Sequence, residues 1–191
     1  MSVRAGFAGE TRQHFTRFIE DCGIACEVVT PHMLAVPFYR GSFNCLIVPT
    51  GFGNPKYSKL LPALRAASPR ILKFLENGGN LLVYGAAIDN PSAYDWLPFP
   101  VIYRHECHPR KITCNASGIS ETIVEDYNTD RIECDGCFPK HDGDAAGLGE
   151  GEAVVIEKHV GKGCVVVTSI HEFPSRKFIE RFCRSGTQTL F

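Results

Sequence analysis

The sequence predicts one α/β domain built on a mainly parallel sheet, and three observations carry that prediction. Short apolar runs alternate with segments of helical periodicity, and the runs close on loops containing Gly or Pro. One run, Leu81-Leu82-Val83-Tyr84, shows no polar alternation, as expected of a strand buried on both faces. Strand and helix in this rhythm imply parallel strands joined by right-handed crossovers. At 191 residues and 44% hydrophobic content the chain is long enough for a real core, and no boundary splits it, so residues 1–191 are read as a single domain.

The elements follow in order. Residues 3–8 form a small apolar strand ending at Gly9; Phe15, Phe18, Ile19 and Cys22 then recur at helical spacing, with Thr11 as the cap and Gly23 as the stop. Ala25 to Val29, closed by Pro31, is a second strand, and Asn44 to Pro49 a third, followed by the loop Thr50-Gly51-Phe52-Gly53-Asn54-Pro55. Ser68 to Gly78 reads as a helix: serine caps it, Pro69 suits its first turn, and Gly78 supplies the left-handed stop. Arg110 to Cys114 reads as a strand, and Ala153–His159 with Cys164–Thr168 as a hairpin around Gly161-Lys162-Gly163. Phe178, Ile179 and Phe182 mark a closing helix, and 115–152 reads as polar loop containing a Cys-x-x-Cys.

Composition excludes several roles. A formal net charge of -1 argues against electrostatic nucleic-acid binding, so short basic runs such as Arg176-Lys177 read as solvated helix faces. No apolar run approaches bilayer-spanning length and the first residues lack a signal-peptide core, so no membrane association and a cytoplasmic location are expected. The nine cysteines are odd in number and scattered, as expected of reduced, mostly buried thiols. Phe38, Tyr39 and Trp96 are the aromatics that would serve a homodimer interface if exposed.

Ligands of open parallel sheets bind beyond the carboxyl ends of the strands, which directs attention to loops 6–10, 49–54, 84–90 and 169–174. Backbone amides there can face an anionic or carbonyl-bearing ligand, although the glycines of Gly51 to Gly53 equally suit a simple turn.

Three stretches, Leu46-Ile47-Val48-Pro49-Thr50-Gly51-Phe52-Gly53, Phe74 to Ala87, and Gly161 to Glu172, together resemble the class I glutamine amidotransferase-like superfamily. The resemblance implies a three-layer, flavodoxin-like sheet. It also implies a ligand site at Gly51, Phe52, Gly53, Gly85, Ala86 and Ala87, with oxyanion-binding amides after the first stretch, a nucleophile on the sharp turn after the second, and a histidine base, His171, after the third. At the nucleophile's place the chain has Ala86, and a methyl group cannot attack a carbonyl. Glu172 directly follows His171, and the position that the resemblance expects to be acidic is Phe173. The implied function is a glutamine amidotransferase-like domain without glutaminase chemistry, binding a small molecule or a partner protein. The enzymatic alternative is a hydrolase or lyase using His171 with Glu172, or a loop thiol.

A second constellation joins His105 and Cys107 to Cys134-Asp135-Gly136-Cys137. A Cys-x-x-Cys pair can give two thiolates to one tetrahedral ion, and residues 105 and 107 project to one side of an extended chain, so zinc is the cofactor these four donors would hold. A reversible disulfide and ordinary loop cysteines are the other two readings of the pair.

Overall fold

The computed structural model describes residues 3–115 and 118–191. Its elements are β1 (Arg4–Ala8), α1 (His14–Asp21), β2 (Ala25–Val29), α2 (Pro31–Ala35), β3 (Ser42–Phe43), β4 (Cys45–Val48), α3 (Leu60–Glu76), β5 (Asn80–Val83), β6 (Val101–Arg110), β7 (Ile112–Cys114), a 3-10 turn (Ile119–Thr122), β8 (Ile132–His141), β9 (Asp144–Gly149), β10 (Glu152–Val160), β11 (Gly163–Thr168), α4 (Arg176–Ser185) and β12 (Thr189–Leu190). Eight strands form one mixed sheet in the order β2-β1-β4-β5-β11-β10-β9-β7. The first five run parallel, and β10, β9 and β7 extend the sheet by antiparallel pairing. β3 and β12 pair separately, and β6 and β8 form a long antiparallel ribbon.

Alternation along the strands builds the core. Leu46, Val48, Leu81 and Val83 face α2 and α3, whereas Cys45, Ile47, Leu82 and Val166 face α1 and α4. The order reverses between β1 and β4, because the chain lays β2 on one side of β1 and then returns to the other. Such a reversal opens a crevice at the carboxyl ends of the two strands, since their outgoing loops diverge to opposite faces. Among the described residues, no helix is long and apolar enough to cross a membrane.

Several expectations need correction. The N-cap of α1 is Gln13, not Thr11. α3 starts at Leu60, so Pro69 lies inside the helix rather than in its first turn; the apolar residues Leu60, Leu61, Ala63, Leu64 and Ala67 are buried and outweigh the local Ser-Pro signal. The stretch 115–152 holds β8 and β9, and the missed β6 stands before it, because the ribbon's strands carry charged residues at their exposed positions. Trp96 is 1% exposed and packs edge-to-face on Phe52, so of the three aromatics assigned to an interface only Phe38 is strongly exposed.

Candidate functional site

The reversal point carries a cavity of about 590 Å³. Its walls come from the loop before α1 and its first turns (Arg12, His14, Phe15, Arg17), from Pro49 and Thr50 after β4, from Tyr84 after β5, and from His171 and Phe173 after β11. Phe15 and Phe173 stack with ring centroids 4.7 Å apart, and Phe15 meets Tyr84 edge-on at 5.4 Å, which gives an aromatic wall. Phe173, which occupies the position where the resemblance implied an acid, is part of that wall. Arg12 pairs with Glu20, whereas among the described residues no carboxylate lies within ion-pair distance of Arg17.

His171 is held from an unexpected direction. Its Nδ1 lies 3.0 Å from Asp135 Oδ1, and Asp135 is buried while the His171 side chain is 61% exposed. The β8 segment delivers this carboxylate because it zips onto the chain leaving β11: Asp135 N donates to Ser169 O at 2.7 Å, and His171 N donates to Glu133 O at 2.9 Å. Asp135 lies over Gly85, where an added Cβ would stand 2.7 Å from Oδ2. Only a residue without a side chain leaves room for the acid there. Among the described residues Asp135 Oδ2 has no hydrogen-bond partner, and Cys107 Sγ approaches Oδ1 at 3.8 Å. A carboxylate at one ring nitrogen fixes the proton on Nδ1 and leaves Nε2 as the acceptor, the arrangement in which an imidazole binds a donor or takes a proton.

Glu172, expected to work with His171, instead accepts the Glu133 amide at 3.1 Å, so it braces β8 rather than the ring. Asp135 stands between Cys134 and Cys137, and nothing local in the sequence marks it as the partner of His171.

The expected oxyanion cradle is also corrected. Gly51 N donates to Gly85 O at 2.8 Å and Gly53 N to Ala86 O at 3.2 Å, so these amides stitch two loops together and do not face a ligand. Phe52 is buried against Tyr94 and Trp96. Ala86 is fully buried in the core. The sharp bend falls one residue later than expected, at Ala87, whose φ of +51° is rare for a residue with a Cβ. No helix follows that bend; Tyr94 and Trp96 come next on irregular backbone that covers α3.

The four proposed zinc donors do not gather. β6 and β8 pair His105 with Gly136 and His108 with Cys134 across bulges, and His105 Nδ1 is engaged by Asp135 O at 2.7 Å. Cys134 and Cys137 are buried in the core, and burial pushes their thiols up to about 12 and about 11, which disfavours the thiolate. Burial and the adjacent Asp135 carboxylate also push the Cys107 thiol up, so it is no activated nucleophile.

The chain matches no protein-family model, and no curated protein matches it in sequence. Solved structures do match. A "putative GMP synthase" component from Thermoplasma acidophilum superposes with a TM-score of 0.64 at 12% identity, over 97% of this chain and 94% of that one. The likeness is one of fold. A cytoplasmic protein of Salmonella typhimurium LT2 matches with a TM-score of 0.55 at 13% identity, over 96% of each chain. The β-galactosidase of Rahnella sp. R3 also matches, with a TM-score of 0.55 at 12% identity over 96% of this chain, but the match takes in only 30% of the enzyme.

Proposed function

We propose that the chain is a glutamine amidotransferase-like domain of the three-layer, flavodoxin-like type that lacks the glutaminase nucleophile and binds a small anionic molecule in the cavity at the β1–β4 reversal. The observation that carries this reading is the composition of the cavity wall: an aromatic face of Phe15, Tyr84 and Phe173 beside the Arg17 guanidinium and the His171 ring. Pockets of this size, mostly apolar with a few directed polar groups, suit small molecules. The aromatic wall favours a planar ring, and the guanidinium favours a phosphate or carboxylate. The fold shared with the Thermoplasma protein supports the family part of the reading, and alanine at both 86 and the bend position 87 supports the absence of thiolate chemistry.

Isothermal titration of the full chain with guanosine monophosphate, L-glutamate and inorganic phosphate tests it. The nucleotide, which carries both a ring and an anion, is expected to bind most tightly, with R17A and F173A each weakening it about tenfold or more, as for loss of a charged hydrogen bond or a stacking contact. Absence of binding by all three probes, or binding unaffected by both substitutions, contradicts the reading.

A second reading, acid–base catalysis on a carbonyl substrate, is favoured by one observation, the 3.0 Å contact that orients His171 against Asp135. Hydrolysis of an activated ester that falls to background in H171Q supports it; a rate identical in H171Q opposes it.

A further inference from the structure

Remote from that cavity, three donors of different kinds converge on one face of the β10–β11 hairpin. His159 stands directly across from Cys164 in the antiparallel register, and Glu157, two residues before His159, projects to the same side. The ligand atoms of all three lie within 4.8 Å of one another, and no other group of three His, Cys, Asp or Glu donors does so among the described residues.

We propose that Glu157, His159 and Cys164 bind one divalent ion of the zinc class, with a fourth coordination position open to solvent.

The donor types decide the class of ion. One thiolate, one imidazole and one carboxylate oxygen suit the borderline-soft, four-coordinate Zn²⁺ and its spectroscopic substitute Co²⁺, not the all-oxygen shells of Mg²⁺ or Ca²⁺. Two donors on a tetrahedral Zn²⁺ stand roughly 3.4–3.8 Å apart. His159 Nε2 is 4.0 Å from Glu157 Oε1, so a small inward rotation of the exposed imidazole closes the set. The carboxylate is already oriented. Its Oε2 accepts Ser120 N at 3.0 Å and Ser120 Oγ at 2.6 Å, while among the described residues Oε1 accepts only Ile119 N, at 3.1 Å. Gly118 permits that embrace, since a Cβ there would stand 2.7 Å from Oε2. Outer hydrogen bonds of this kind fix a ligating group before the ion arrives.

The fourth position faces a cleft of about 350 Å³ that Lys162 and Arg181 also line. Carboxylate and thiolate together neutralise a 2+ ion, and Lys162 then favours hydroxide or another small anion at the open place, whereas Arg181 is held by Glu121 at 2.6 Å. The Cys164 thiol, buried and pushed up to about 12, releases its proton to solvent as the sulfur–metal bond forms, so uptake of the ion releases one proton.

Co²⁺ titration of the reduced full chain tests the proposal. The expected result is one equivalent bound, with a near-ultraviolet thiolate-to-cobalt band that vanishes in C164S and persists in C26S. In competition with a chromophoric chelator, H159A is expected to weaken Zn²⁺ binding at least tenfold; this side chain is 77% exposed, so the variant keeps the fold. Persistence of the cobalt band in C164S, equal Zn²⁺ affinity in H159A, or no binding by the wild-type chain overturns the proposal.

Discussion

Gly85→Ala tests the link between the sheet and the His171–Asp135 pair. The new Cβ would lie 2.7 Å from Asp135 Oδ2, 2.8 Å from its Cβ and 3.2 Å from its Cγ, where ordinary contact begins at 3.4 Å. The carboxylate must therefore retreat by roughly 0.7 Å, and an Oδ1–Nδ1 contact of 3.0 Å lengthened by that much is no longer a hydrogen bond. Overpacking of this kind costs about 1–3 kcal/mol. Loss of the contact to the largely exposed His171 adds only a few tenths of a kcal/mol, because solvent screens it. Against this, replacing glycine stabilises by about 0.4–1 kcal/mol where the backbone allows it, and Gly85 is outside the left-handed region. The clash wins, with a net loss of about 1–2 kcal/mol. For a chain of this size that lowers Tm by about 2–8 °C. Urea unfolding of G85A in two backgrounds separates the cause. In D135G all three crowding atoms are gone, so the cost of G85A should fall to near zero or reverse sign. An equal cost in both backgrounds refutes the reasoning.

Other outcomes follow from the same structure. The thiol of Cys134, pushed up to about 12 by burial, stays neutral in the fold but ionises when unfolded. Its contribution to stability is therefore complete below the ordinary thiol range and is lost from about pH 9 toward pH 12, by on the order of 1 kcal/mol per pH unit; a Tm in C134A that falls across that window as steeply as the wild-type Tm contradicts this. The thiol introduced by A86C should react with iodoacetamide far more slowly than exposed Cys107, because position 86 is fully buried; comparable rates would show that the bend opens to solvent. Phe52→Ala should cost about 3–5 kcal/mol in chemical denaturation and alter the fluorescence of Trp96, which Phe52 meets edge-on; a loss under about 1 kcal/mol would contradict its place in the core. Tyr94→Phe leaves Tyr84 O, which its buried hydroxyl bonds at 2.8 Å, without that donor, and should cost about 1–3 kcal/mol by urea unfolding; an unchanged midpoint counts against the bond.

The parallel half of the sheet was legible because its inner strands are buried on both faces and its edge strand β2 is a β-branched run closed by Pro31. Val28-Val29, Leu46-Ile47-Val48 and Leu81-Leu82-Val83 have no other good reading. The β6–β8 ribbon was not legible, since Arg104, Glu106 and Glu133 stand on exposed edges and break the apolar pattern. The site divides along the same line. His171 comes from the family resemblance of the stretch Gly161 to Glu172, whereas the neighbourhood of loops 49–54 and 169–174 follows from topology. Asp135 depends on pairing between β8 and the chain after β11, contacts across more than thirty residues that no local signal encodes. The glycines of loop 51–53 show the converse: local chemistry suited to an anion is used instead for joining two loops.

The orientation of His171 can be measured directly. In a long-range ¹H–¹⁵N spectrum of the full chain, with His171 assigned by its absence in H171Q, the neutral ring should carry its proton on Nδ1, facing Asp135, and should revert to the Nε2-protonated form in D135A. An Nε2-protonated ring in the wild-type chain, or an Nδ1-protonated one unchanged by D135A, would mean that the buried carboxylate does not hold the histidine at the cavity.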